Sequence, residues 1–213
     1  MKYESLVTLM KPYGWFDLAT LTQMTSESRQ TLQIQLSRWR KAGKLLPLRR
    51  GMYALPELYR NQPISPTELA NGMYAPSYLS LHWALGYYGM IPERVIEYTS
   101  VTSRTPKRFD NAFGAFSYRH VKPAAFFGYQ VVDLGGSRLF LAEPEKALLD
   151  LWYLVQGEWT QARMEHMRFQ AFENVDLETL DGYAEQFRSP RLMAATQVWS
   201  TLSRQSREEG VEL

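Results

Sequence analysis

Near the amino terminus the apolar positions recur at helical spacing, and each run ends on a stop signal. Leu6, Leu9 and Met10 face one way from a helix over residues 2–10, which Pro12 and Gly14 close. Asp17 is a good N-cap for a short helix over 18–24. Thr25 and Ser26 make the next turn, with Ser26 as the expected cap of a third helix. In that helix Leu32, Leu36 and Trp39 fall at i, i+4 and i+7 and stack on one face. Gly43 supplies the left-handed residue that ends it. An extended run over 45–48, a tip of Arg49, Arg50 and Gly51, and a return strand over 52–55 make a hairpin. This order of elements predicts a winged helix-turn-helix domain over residues 1–58.

Residues 56–66 carry three prolines and read as an extended, semi-rigid connector to a second domain over 63–213. Ser65 or Thr67 caps a helix over 68–73, and a further helix is expected over 77–88, with Leu81, Ala84, Leu85 and Tyr88 on one side. From residue 94 the period changes to strict alternation rich in β-branched residues, an extended signal. Strands are predicted over 95–100, 113–121, 126–134 and 137–142, with Gly135-Gly136 as a hairpin turn between the last two. Residues 102–110 read as an exposed loop. Pro144, with Glu143 and Glu145 beside it, starts a helix that runs to about 155. Residues 160–205 look helical and acidic, with a frayed tail from Ser206. The expected fold class is α+β: a winged helix-turn-helix followed by an α/β domain with a small, mainly antiparallel sheet and flanking helices.

The overall charge of +2 becomes informative only when divided along the chain. Residues 1–60 hold ten basic and four acidic side chains, a net of +6, whereas 61–213 hold fourteen and eighteen, a net of −4. Such asymmetry separates a polyanion-binding part from a part with another job. Seven of the basic residues lie between Ser28 and Tyr53, where there is no acid. With Leu32, Leu36 and Trp39 inward, the opposite helix face presents Ser28, Arg29, Gln30, Gln33 and Ser37, and further along Arg40 and Lys41. Arg bridges guanine O6 and N7 and Gln bridges adenine N6 and N7, so Arg29, Gln30 and Gln33 are the base-reading candidates. Arg38, Arg40, Lys41 and Lys44 are expected on phosphates, and Arg49 and Arg50 at the adjacent minor groove. The bland alternative is a solvated basic face or a protein-interaction module.

Other chemistry is sparse. The absence of cysteine excludes disulfides and thiolate metal sites, and three scattered histidines (His82, His120, His166) make a metal centre improbable. No metal or other cofactor is expected. No apolar run approaches the ~20 residues that span a bilayer, and no secretion signal is evident, so a cytoplasmic protein without a membrane partner is expected. Glu143, Glu145 and Lys146 invite a catalytic reading, but Pro144 breaks the spacing that metal-dependent nucleases use; a helix start explains them better. Tyr78, Trp83, Tyr87 and Tyr88 read as core or interface aromatics. No phosphate loop, nucleophile elbow or histidine-centred triad is present, so no enzyme is expected. Residues 94–122 are locally basic, net +4. Arg104, Lys107, Arg108, Arg119 and Lys122 there are either a solvated surface or a second nucleic-acid contact, for example with RNA.

Several phrases resemble the antitoxin and regulator family of the AbiE abortive-infection systems, which are bacterial type IV toxin–antitoxin pairs. They begin with YLSLHWAL from Tyr78 and YGMIPE from Tyr88. TSVT from Thr99, FSYRHV from Phe116 and AEPEKALLDL from Ala142 follow, and Arg50-Gly-Met-Tyr53 is similar as well. The resemblance covers residues 5–155 and stops near Gly157. It implies a repressor that binds repeats in its own promoter through the winged helix. It also implies a second domain that counters a nucleotidyltransferase toxin without forming a stable complex. The alternatives are a winged-helix transcription factor with a ligand-sensing or dimerising second domain and, more remotely, a nucleic-acid-processing enzyme.

Overall fold

The structure is a computed structural model that describes residues 1–211. The fold is α+β, with a small antiparallel sheet and a larger mixed one. No helix among the described residues is long and apolar enough to cross a membrane.

The first unit contains α1 (Tyr3–Met10), β1 (Trp15–Asp17), α2 (Leu18–Met24), α3 (Arg29–Lys41), β2 (Leu46–Arg49) and β3 (Met52–Ala54). Leu6, Met10, Leu21, Leu32 and Leu36 are fully enclosed between the three helices, and Trp39 packs half-buried against them. Asp17 caps α2 by accepting the Thr20 amide at 2.8 Å. The cap of α3 is Ser28, not Ser26: its Oγ accepts the Thr31 amide at 3.2 Å. Three cap-type residues stand in that turn, and local sequence does not choose among them. Gly43 takes φ +70° at the end of α3. A strand the apolar pattern did not reveal, β1, pairs with β3, giving the order β1-β3-β2. At three residues it is too short to display a period.

The second part holds α4 (Pro66–Met73), β4 (Ser77–Leu79), α5 (Leu81–Tyr87), β5 (Glu97–Thr102), β6 (Lys107–Asn111), β7 (Gly114–His120), β8 (Tyr129–Leu134) and β9 (Ser137–Ala142). Four helices follow: α6 (Pro144–Leu154), α7 (Gln161–His166), α8 (Leu177–Phe187) and α9 (Pro190–Val211). Ser65 caps α4 with Pro66 behind it, and Pro144 opens α6. The sheet has six strands in the order β6-β7-β5-β4-β9-β8. It is larger than expected and mixed, because β5 runs parallel to β7 and β4 parallel to β9. Parallel partners are not neighbours in the chain, so alternation along one segment says nothing of them.

Three further expectations are corrected. The helix expected over 77–88 begins only at Leu81, because Ser77–Leu79 is a strand inside the sheet. All three of its residues are buried, which removes the alternation by which a strand is recognised. The loop expected over 102–110 contains the edge strand β6. The tail from Ser206 continues α9 as helix to Val211.

The proline-rich segment does not hold two separate bodies apart. Leu48, Met52 and Ala54 on one face of the small sheet join the core of the second part, with Leu69 and Met73. Phe16, Leu45 and Leu55 complete the first core. The Trp15 ring lies on Gly72 so closely that a Cβ there would clash. Asn111 Nδ2 donates to Leu48 O at 3.2 Å. The three-stranded sheet is therefore a wall shared by two cores.

At the centre of the second part lies a polar cluster with no solvent exposure. Lys146 and Asp150, one turn apart on α6, form an ion pair with 0% exposure on both sides. Lys146 Nζ also donates to Tyr78 Oη at 2.8 Å. The other carboxylate oxygen accepts from Tyr78 Oη at 3.0 Å and Ser80 Oγ at 2.8 Å. Burial pulls the Lys146 ammonium down and pushes the Asp150 carboxyl up, and the charge of each partner opposes the shift of the other. Removing one member of such a pair leaves a buried, unmatched charge. We expect Lys146→Met to destabilise the protein by about 3–5 kcal/mol. Adding Asp150→Asn, which removes the stranded charge but keeps an acceptor for Tyr78 and Ser80, should recover part of that loss. Urea unfolding of the single and double variants checks this; equal stability of parent and Lys146→Met would refute it.

Candidate nucleic-acid interface

The inward stripe of Leu32 and Leu36 leaves one broad face of α3 to solvent. Ser28, Arg29, Gln30, Gln33, Arg38, Arg40 and Lys41 are exposed on that helix and its cap, and Ser37 is half-buried. Ser28 is committed to Thr31 through its capping bond and a 2.9 Å hydroxyl contact, so its side chain serves the helix start. Gln30, Gln33, Ser37, Arg38 and Lys41 line one shallow groove together with Ile34. Ile34 was missed from the sequence. It lies off the Leu32–Leu36–Trp39 stripe and is 49% exposed, an apolar side chain amid polar and basic ones. An aliphatic group so placed suits the methyl of thymine.

A second cleft, about 470 Å³, separates α3 from the hairpin. Arg29 and Gln33 line one wall, Arg49, Arg50 and Gly51 another, and Asp17 to Ala19 the floor. Gln33 is common to both depressions. Arg40 and Lys44 line neither; Lys44 is exposed, with Nζ 4.8 Å from the centre of the Tyr3 ring.

The two hairpin arginines differ. Arg50 is exposed, whereas Arg49 is half-buried and donates Nε–H to Met73 O at 2.6 Å and Nη1–H to Arg50 O at 3.2 Å. Arg49 thus fastens the hairpin to α4. Asp17 also enters this neighbourhood. Burial raises its carboxyl, but hydrogen bonds from Thr20 and the charge of Arg49 outweigh that and hold it below the usual carboxylate range. The acid-free stretch of sequence therefore meets one acid in space, carried in by β1.

The second basic group is dispersed. Arg108, on the edge strand, pairs with Glu97 and Asp110. Arg104 donates to Ala75 O at 2.9 Å and lies over the Tyr74 ring at 4.4 Å. Lys122 reaches Phe187 O at 3.4 Å. Lys107 and Arg119 are exposed but on opposite faces, since Lys107 is registered with Tyr118, the neighbour of Arg119. The five do not converge into one patch.

Elsewhere, a cleft of about 470 Å³ between α5, residues 91–97 and α7 is lined by His82, Ile91, Glu93, Val95, Glu97 and His166, among others. Burial lowers the His82 imidazole. Glu93 is held by Arg168. Among the described residues no group of three or more His, Asp or Glu side chains is arranged to hold a metal ion.

No protein-family model matches the chain, and no curated protein matches it.

The contrast between the hairpin arginines is measurable without nucleic acid. Arg49→Ala should lower unfolding stability by about 1.5–3 kcal/mol, the scale of a hydrogen bond from a charged donor. Arg50→Ala should stay within about 0.5 kcal/mol of the parent, as exposed substitutions do. Urea denaturation of the two variants decides it; equal losses would show that Arg49 is no fastening.

Proposed function

We propose that the chain is a DNA-binding transcriptional regulator whose first unit is a winged helix-turn-helix. In this reading α3 enters the major groove and the β2–β3 hairpin lies along the adjacent backbone. The observation that carries it is the outward face of α3. Gln30, Gln33 and Ile34 are exposed there, with Arg38 and Lys41 beside them and exposed Arg50 across a cleft. Polar groups that read bases, flanked by cations that hold phosphates, are the division of labour a sequence-specific DNA site requires. Arg49 plays a smaller part than Arg50, because its guanidinium already serves Met73.

The resemblance to AbiE antitoxins supplies the rest of the proposal. The target is a set of repeats in the protein's own promoter, and the second part counters a nucleotidyltransferase toxin without stable complex formation. A ligand-responsive transcription factor is the second reading, favoured by the cleft between α5 and α7.

Binding to promoter duplex, followed by fluorescence anisotropy across a salt titration, tests the first part. Replacing Arg38, Lys41 and Arg50 with Ala should weaken binding to every duplex and reduce the slope of log K against log salt by about one for each phosphate no longer neutralised. Gln33→Ala and Ile34→Ala should instead lower discrimination between sites, by about 1–3 kcal/mol per base pair read. If all these variants bind like the parent, the face is not a DNA interface. Co-expression with a nucleotidyltransferase toxin tests the second part: the triple variant should lose operator binding yet still restore growth.

A further inference from the structure

The exposed apolar surface concentrates at the edge of the large sheet farthest from the hairpin. β8 is the terminal strand, paired only with β9, and its outer row of backbone groups meets no other strand among the described residues. Tyr129, Val131, Leu134 and Phe140 are all exposed large hydrophobics on this β8–β9 hairpin, with Val131 at 49% and Phe140 at 45%. An unprotected edge of this kind is a template for strand addition. The usual defences are missing: residues 129–134, YQVVDL, contain no lysine, no proline and a single acid, and the β8–β9 register runs without a bulge.

We infer that β8 pairs antiparallel with β8 of a second copy, making a two-fold dimer with one continuous sheet. The strand's own order of side chains selects this occupant. A two-fold axis perpendicular to the sheet joins residues of the same face, so the pairing must centre on a residue rather than between two. Centred on Val131, it sets Val131 against its copy, and each Val131 is already registered with Phe140. The result is an apolar row of Phe140, Val131, Val131 and Phe140 across the seam. The same register sets Tyr129, whose ring stacks on Tyr78, opposite Asp133 of the copy. On its other side Asp133 is registered with Arg138. Centring on Val132 instead would press Asp133 against Val131, an apolar neighbour that offers no hydrogen bond. The axis also lies at the sheet edge opposite β6, the strand that borders the hairpin strand β2, so both first units stay at the outside of the dimer. The inference stands independently of the DNA-binding reading.

The chain has no cysteine, which makes the register directly testable. Full-length Val131→Cys should form a disulfide-linked dimer under mild oxidation, because its copy lies directly across the axis. Leu58→Cys, on the exposed surface of the first unit, should not. In sedimentation velocity at micromolar concentration the parent should be dimeric. Val131→Lys, with circular dichroism and melting unchanged, should raise the dimer dissociation constant at least about tenfold, and Leu58→Lys should leave it alone. The inference is overturned if the parent stays monomeric, if Leu58→Cys cross-links as readily as Val131→Cys, or if Val132→Cys cross-links in its place.

Discussion

The buried Lys146–Asp150 pair is the constraint on which the second part of the molecule depends. It anchors α6 to β4 through Tyr78 and Ser80, and β4 is the inner strand that joins the antiparallel partner β5 to the parallel partner β9. An ion pair without solvent holds only when the remaining donors and acceptors are met, and here two hydroxyls meet the carboxylate. Phe127 and Phe187 close over the ammonium at 5.2 and 5.0 Å, which ties the packing of α8 to the same point. Gly128 completes the enclosure, since a side chain there would press on the Lys146 stem. Lys146, which invites a catalytic reading in sequence together with Glu143 and Glu145, here sets register with Asp150: α6 slides or rotates on the sheet only by stranding the pair.

A second constraint couples the first unit to that core. Because the small sheet presents one face to each core, α3 is held through Leu36 and the hairpin through Leu48, Met52 and the Arg49–Met73 bond. The hairpin is thereby fixed to α4, which adjoins the Tyr74, Phe109 and Tyr118 aromatic group, where Tyr118 donates to Ala70 O at 2.6 Å. The connector between the two parts is short in effect, whatever its length in residues.

Much of the first unit was legible in the sequence. The α1 and α3 stripes, the Asp17 cap, Gly43 and the hairpin all rest on interactions within a turn or two of chain, which single-sequence patterns record directly. The basic outer face of α3 was legible for the same reason: a stripe that faces inward determines what faces out. Ile34 carries no such signal, because a single apolar residue off the stripe is ordinary on a helix surface until the polar groove around it is formed. Arg49 and Arg50 looked equivalent because adjacency in sequence says nothing about which guanidinium finds a carbonyl 24 residues away. The basic stretch around residues 104–122 dissolved for a related reason. Strand alternation parts Lys107 from Arg119, and Glu97 takes up Arg108 across the sheet.

By itself the sequence determined the α+β composition, the positions of most helix starts and turns, the positive first unit and acidic remainder, and the basic helix α3. Only the tertiary structure decided that Ser77–Leu79 is a strand, that β5–β7 and β4–β9 run parallel, that Ser28 and not Ser26 caps α3, and that Lys146 and Asp150 face Tyr78 and Ser80. It alone showed the small sheet as a shared wall and β8 as an open edge. The physical reason is one of range. Caps, stripes and turns depend on residues a few positions apart, whose geometry the backbone imposes, whereas strand order, buried pairs and exposed edges depend on which distant faces come together to exclude water.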